Sequence, residues 1–144
     1  MSRTHLAALL AAALMPLTAC SSDQEQYCDA VEEHQTELSD VAAQGGPGAL
    51  LEALPVYRDL RDRAPDDIRD EWDQVISSLE ALQQALDDAG VQPDDYDPKD
   101  TSVPRDDRDA IAAAADEVGS AETARALAGV EQQARDVCHT PLSL

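Results

Sequence analysis

Histidine is the first residue type to consider, because its imidazole can bind metals or exchange protons near neutral pH. The chain has three histidines, His5, His34 and His139. His34 lies among apolar residues at helical spacing, and Glu37 follows three residues later, which reverses the Glu-x-x-His order of di-iron bundles. No second copy of this pattern occurs. We therefore expect His34 to be half-buried and to donate to a carbonyl or a nearby carboxylate, not to bind a metal, and His139 to lie at the surface.

A second candidate for chemistry is the segment 91–107, which contains three prolines and six aspartates. Its carboxylates offer oxygen ligands of the kind that calcium prefers; the candidates are Asp94, Asp95, Asp97 and Asp100. An EF-hand counted from Asp95 would need glycine at its sixth position and glutamate at its twelfth, and the sequence has aspartate at both. The pattern favours a solvated acidic loop with weak calcium candidates, and predicts no resident metal or cofactor.

Enzyme and nucleic-acid signatures are missing from the sequence. It has no nucleophile elbow, dinucleotide fingerprint or P-loop, and its only lysine, Lys99, lies in the acidic segment. The chain has 30 acidic and 10 basic side chains, a net charge of −20. Because contacts to phosphate groups need clustered cations, nucleic acid is an unsuitable partner. We expect a protein without catalytic residues.

The amino terminus has the features of a targeting segment. Arg3 precedes an apolar run of 12 residues that ends at position 17, whereas a membrane-spanning helix needs about 20 residues. Residues 17–20 read Leu-Thr-Ala-Cys and resemble the bacterial lipobox. The resemblance implies a signal peptide over 1–19 and acylation of Cys20, which becomes the first mature residue. An ordinary secretory signal with an incidental cysteine is the alternative.

The other two cysteines, Cys28 and Cys138, lie near the ends of the remaining chain. An exported protein occupies an oxidising compartment, where an even number of cysteines indicates disulfides. Two free thiols or a metal pair are the alternatives, although the pair lacks the C-x-x-C spacing of zinc sites. We predict a Cys28–Cys138 disulfide.

Apolar residues recur at helical spacing from residue 27 onward. Leu51 points away from the stripe of its segment, in which Pro55 predicts a kink or a restart. The predicted helices span 27–43, 50–64, 65–89, 109–118 and 121–138. Together they predict an all-α domain over 27–144, an antiparallel four- to five-helix bundle closed by one disulfide and preceded by the lipoprotein signal peptide, with residues 20–26 as a flexible tether.

Two further expectations concern the core. Tyr57 and Trp72 lie on helical stripes and are expected to fill the core, not to form a ligand site. The large aliphatic residues are few, so little is left to line a pocket of about 300 Å³ or more.

A lipobox, a polar tether, Tyr27-Cys28 at the first helix, Ala64-Pro65 before Trp72 and a late cysteine resemble small helical secreted lipoproteins of high-GC Gram-positive (actinobacterial) type. The resemblance covers the whole chain. It implies an extracytoplasmic location and a helical fold, and nothing about catalysis.

These expectations combine into a function. We expect a lipid-anchored protein on the extracytoplasmic face of the cell membrane, bound to lipid only through its anchor, which acts as a binding module for an envelope or extracellular protein. The predicted contact surface is a helical face with the loop 91–107, and Leu51 is a candidate apolar anchor. The alternative is a small-molecule or metal-binding lipoprotein that serves a transporter.

Overall fold

The computed structural model describes residues 22–46 and 48–142. These residues form six α-helices and a short 3₁₀ turn at Pro93–Asp95, with no strand among them. The predicted all-α fold and its disulfide are confirmed, whereas the signal peptide and Cys20 lie outside the described residues. The helices are α1 Asp23–Gln44, α2 Ala49–Glu52, α3 Leu54–Arg63, α4 Asp66–Ala89, α5 Arg105–Val118 and α6 Ala121–Val137.

The first helix begins earlier than its apolar stripe. Ser22 caps α1 by accepting a hydrogen bond from the backbone N–H of Glu25, and the Glu25 carboxylate accepts one from the backbone N–H of Ser22. This capping box satisfies N–H groups that have no partner inside the helix. The prediction that residues 20–26 form a flexible tether is therefore wrong for 23–26, which are helical.

The second predicted helix is split in two. α2 ends at Glu52 and α3 begins at Leu54, with Pro55 in its first turn, where the missing N–H costs no hydrogen bond. α2 packs against α1 and α4. Leu51 is buried there, with 7% of its surface exposed, so the expectation that it projects outward as an apolar anchor is wrong.

The long helix α4 is the central element. Asp66 and Asp67 place negative charge in its first turn, and Gly90 ends it in the left-handed conformation, at φ 69°. One face is buried against the neighbouring helices, and Leu82 on this face is only partly buried. The buried residues of α4 are Ile68, Trp72, Val75, Ile76, Ser78, Leu79 and Leu86.

The last two helices run back along α4 in succession. At their junction the Gln74 side chain of α4 donates to Glu117 and Thr123, at 3.3 and 3.1 Å. α5 begins at Arg105, four residues earlier than predicted, and Ser120 caps α6. α6 buries Thr123, whose hydroxyl also donates to the Glu117 carbonyl, and leaves Ala124 exposed.

Three aromatic rings form the middle of the core. Trp72 is 0% exposed, and its indole N–H donates to the Tyr27 hydroxyl at 3.2 Å. Tyr57 packs against Trp72 with ring centroids 5.6 Å apart. Burial raises the pKa of both tyrosines to about 12. Tyr57 and Trp72 are thus core residues, as the sequence predicted.

The bundle has two distinct ends. At the cysteine end, where α1 begins, Cys28 is bonded to Cys138, with their Cα atoms 5.0 Å apart. At the loop end, where α1 finishes, the α2 turn lies beside the 3₁₀ turn at Pro93–Asp95. A helix of the 22 residues of α1 is about 33 Å long at 1.5 Å per residue. None of the described helices has both the length and the apolar character needed to cross a bilayer.

Candidate functional site

The loop end carries an apolar hollow of about 410 Å³ between α4 and α5. The sequence predicted too little aliphatic surface for a hollow of this size. It forms because the loop contributes two prolines and the partly buried ring of Tyr96, in addition to the aliphatic residues of the helices. Its lining residues are Leu82, Leu86, Pro93, Tyr96, Pro98, Ile111 and Ala115.

A second hollow of about 300 Å³ adjoins the first and differs from it in charge. The two hollows share Leu86 and Pro93 as a common wall. The second is lined by three carboxylates, Glu52, Asp87 and Asp94, and by no lysine or arginine. Its other lining residues are Gly48, Leu51, Gln83 and Gln92.

Gly48 allows the loop to approach the turn that precedes α2. A Cβ atom at this position would lie 3.0 Å from the Asp94 Oδ1 atom and 3.4 Å from the Pro93 Cβ atom. Real Cβ atoms rarely approach other atoms so closely, so a side chain at this position would push Asp94 away. Because Gly48 has no side chain, Asp94 can lie in the acidic hollow.

Two of the calcium candidates are engaged by their own loop. The Asp97 carboxylate accepts a hydrogen bond from the Lys99 backbone N–H at 2.9 Å, and Asp100 accepts one from Ser102 at 2.8 Å. The hydrogen bonds from Ser102 lower the pKa of Asp100 below its usual value. In the described parts of the chain, no group of three or more His, Cys, Asp or Glu side chains is arranged to hold a metal. The side chains of Asp94, Asp95, Asp97 and Asp100 are close in sequence but do not form a common set of metal ligands.

One arginine connects this loop to α5. Arg108 Nη1 donates to the Pro98 carbonyl at 3.4 Å. The Nε atom of the same side chain is buried and has no hydrogen-bond partner among the residues described. Val103 is buried as well. One long hydrogen bond therefore ties the loop to α5, and the ring of Tyr96 packs against the core beside the apolar hollow.

His34 lies in a separate ionic cluster between α1 and α3. Its Nε2 atom is 2.9 Å from Asp59 and its Nδ1 atom is 3.3 Å from Glu37, with 19% of the side chain exposed. Arg63 pairs with Asp59 and also approaches Glu33. Burial lowers the pKa of His34, but the hydrogen bonds to Asp59 and Glu37 outweigh it and raise the pKa above 6.5. The expected carboxylate neighbour is thus Asp59, from a different helix.

This cluster makes stability depend on pH in a defined direction. Since the pKa of His34 is raised in the folded state, the stabilisation is fully present below the unfolded value of 6.5 and is lost as pH rises through the folded value. We expect the difference in unfolding free energy between the wild type and His34→Gln to shrink from pH 5.5 to pH 8.5, as measured by urea denaturation. An equal difference at both pH values would show that the imidazolium contributes nothing.

His139 is exposed, as the sequence predicted, and has a left-handed backbone with φ 57°. This conformation ends α6 and lets the Thr140 N–H bond to the Ala134 carbonyl. His139 therefore has a local role in the helix end and lies far along the chain from the His34 cluster.

Comparison of the chain with protein-family models, with curated proteins and with solved structures gives no match in any of the three. The resemblance to small actinobacterial lipoproteins stays a prediction of the sequence.

Proposed function

We propose that the protein is a lipid-anchored, extracytoplasmic interaction module that recognises another protein and has no active site of its own. The observation that carries this proposal is the placement of the two ends. α1 begins three residues after Cys20, at the cysteine end, and the two hollows lie at the opposite end. A lipid on Cys20 would hold the cysteine end at the membrane and present the loop end about 33 Å above it.

The net charge supports a basic partner. The chain carries −20 at neutral pH, and a field of this sign speeds encounters with a positively charged surface and weakens as salt is added. It also opposes direct docking on an anionic lipid surface. The lipid anchor is then the only membrane contact, which leaves the acidic loop end for the protein partner.

The anchor itself is tested by fractionation. We expect the wild type to partition with the membrane and Cys20→Ala to lose at least about nine-tenths of that association. Alanine removes the sulfur that would be acylated, and acyl chains supply the membrane binding, which is measurable with one chain and stable with two. Immunoblots of membrane and soluble fractions provide the measurement. Cys28→Ser with Cys138→Ser is the control, since it removes two other cysteines and leaves the lipobox intact. Equal partitioning of the wild type and Cys20→Ala would refute lipid attachment.

The volume of the apolar hollow supports a second candidate, a small-molecule-binding lipoprotein that serves a transporter. The hollow measures about 410 Å³, within the range of about 300–1,000 Å³ found for ligand pockets. A ligand at 100 times its Kd would add about 2.7 kcal/mol to the unfolding free energy. A thermal-shift screen with metals and metabolites separates this candidate from the first.

A further inference from the structure

We infer that the two adjoining hollows at the loop end form one docking site for a basic protein segment, which places an aliphatic or aromatic side chain in the apolar hollow and a lysine or arginine in the acidic one. The inference rests on the proposed function and specifies its contact surface. Because Leu51 is buried, the apolar contact with the partner is assigned to the apolar hollow and not to Leu51.

The apolar hollow offers uncovered hydrophobic surface. Leu82 and Tyr96 are only partly buried, and Ala115 is exposed. An apolar side chain that entered here would remove these groups from water, which favours binding in proportion to the apolar area buried. Aromatic side chains bury about 150–250 Å² each, which makes them the strongest anchors for such a hollow.

The acidic hollow has no lysine or arginine in its lining, unlike the surface between α3 and α4. Arg58 pairs with Glu80 at 2.8 Å and Arg61 pairs with Asp73 at 2.7 Å, so the carboxylates between α3 and α4 have their own cations. Glu52, Asp87 and Asp94 form no ion pair in the ranges that the structure describes. A lysine or arginine in this hollow would therefore be supplied by a partner.

The shared wall explains why one segment fills both hollows. Leu86 and Pro93 belong to both linings, so the two hollows adjoin each other. Residues three or four apart on a helix are neighbours on one face. A partner helix with an apolar and a basic residue at this spacing therefore matches both hollows, in the manner of other helix-in-groove complexes.

Charge also decides between the possible occupants. A second copy of this chain would bring another −20 to the same surface, and like charges brought together oppose association. The three carboxylates are not arranged as a metal site. A basic protein segment is the occupant that the charge of the acidic hollow favours.

The test uses the protein purified from its own cells into nanodiscs of phosphatidylcholine, or directly from the soluble fraction if it is found there. The probes are three 12-residue helical peptides that differ at two positions four residues apart, which carry Leu/Lys, Leu/Glu or Ser/Lys. Calorimetry against empty nanodiscs measures binding. We expect the Leu/Lys peptide to bind at least tenfold more tightly than the other two, and to weaken at least tenfold between 50 and 300 mM salt.

Matched variants locate the site. Ala115→Trp fills the apolar hollow and is expected to weaken binding of the Leu/Lys peptide at least tenfold. Ala113→Trp, on the opposite, exposed face of α5, is expected to leave it unchanged. Glu52→Gln with Asp87→Asn and Asp94→Asn is expected to remove binding and its salt dependence. Asp29→Asn with Glu32→Gln and Asp40→Asn deletes the same charge from α1 and serves as the control.

Several results would overturn the inference. The first is that the Leu/Lys peptide does not bind. The second is that the Leu/Glu or the Ser/Lys peptide binds as tightly as the Leu/Lys peptide. The third is that Ala115→Trp and Ala113→Trp change the binding equally. A dimer that Ala115→Trp dissociates would make a second copy the occupant. Failure here together with Cys20-dependent membrane partitioning would reject the docking site and leave the lipid-anchored proposal standing.

Discussion

Replacing Cys28 and Cys138 together by serine is expected to lower the free energy of unfolding by about 2–5 kcal/mol. The bond joins residues 110 positions apart, and in the chain-entropy model closing a loop of about 100 residues is worth about 4.7 kcal/mol. It fastens the first turns of α1 to the end of α6. Urea denaturation followed by circular dichroism measures the loss, which is large beside the total of about 5–15 kcal/mol usual for a domain.

The wild type treated with a reducing agent is the matched control for this variant. It is expected to unfold at the same urea concentration as the double serine variant, because both lack the cross-link. An unchanged midpoint in the reduced wild type would mean that the disulfide adds nothing to stability. Mass spectrometry of the non-reduced protein checks the premise, since free thiols at both positions would contradict the bond.

Truncation of Trp72 to alanine is expected to cost about 3–5 kcal/mol, the range for large aromatic residues in cores. Trp72 is completely buried, packs against Tyr57 and donates to the Tyr27 hydroxyl. Alanine would leave a cavity between α1, α3 and α4 that the neighbouring side chains fill only in part. Circular dichroism in urea is the suitable probe, because the chain has no other tryptophan.

Trp72→Phe separates the contribution of the ring from that of the N–H group. Phenylalanine retains most of the buried volume and removes the donor to Tyr27, so a loss of about 1–3 kcal/mol is expected. If Trp72→Phe were as destabilising as Trp72→Ala, packing would not be the main contribution of the indole ring. If Trp72→Ala left the stability unchanged, the aromatic centre of the core described here would be wrong.

Most of the helices could be predicted because their apolar spacing is regular, and α4 is the best example. The first turns of α1 and α5 were missed because they contain few or no apolar residues. Other signals were present there. Ser22 and Glu25 have the spacing of a capping box, and Pro104 precedes Asp106 and Asp107 at the start of α5.

The direction of short segments was harder to predict. The stripe of the segment 50–64 excludes Leu51 and so predicts an outward side chain, even though Pro55 indicates a restart within that segment. The break at Ala53 makes α2 independent of α3, and its four residues have no periodicity that could show which side is buried. In α6 the apolar spacing does not indicate Thr123, a polar residue that is buried with its hydroxyl bonded to the Glu117 carbonyl.

The candidate site depends on contacts between distant parts of the chain, which a single sequence does not specify. The sequence predicted that the loop 91–107 is a surface for recognition. It did not predict that the loop lies beside Leu82 and Ile111. It likewise predicted a carboxylate beside His34 without identifying Asp59. Gly48 was a local signal for close approach, although its partner, Asp94, lies far along the chain.

Photo-crosslinking in intact cells tests most directly the claim that the loop end carries recognition. A photoreactive residue at Gln83 lies at the acidic hollow, and one at Gln132 lies on the exposed surface of α6. We expect one discrete adduct with a basic protein from Gln83, none from Gln132, and loss of the adduct when Glu52, Asp87 and Asp94 are neutralised. The same adducts from both positions, or no adduct from Gln83, would contradict the account.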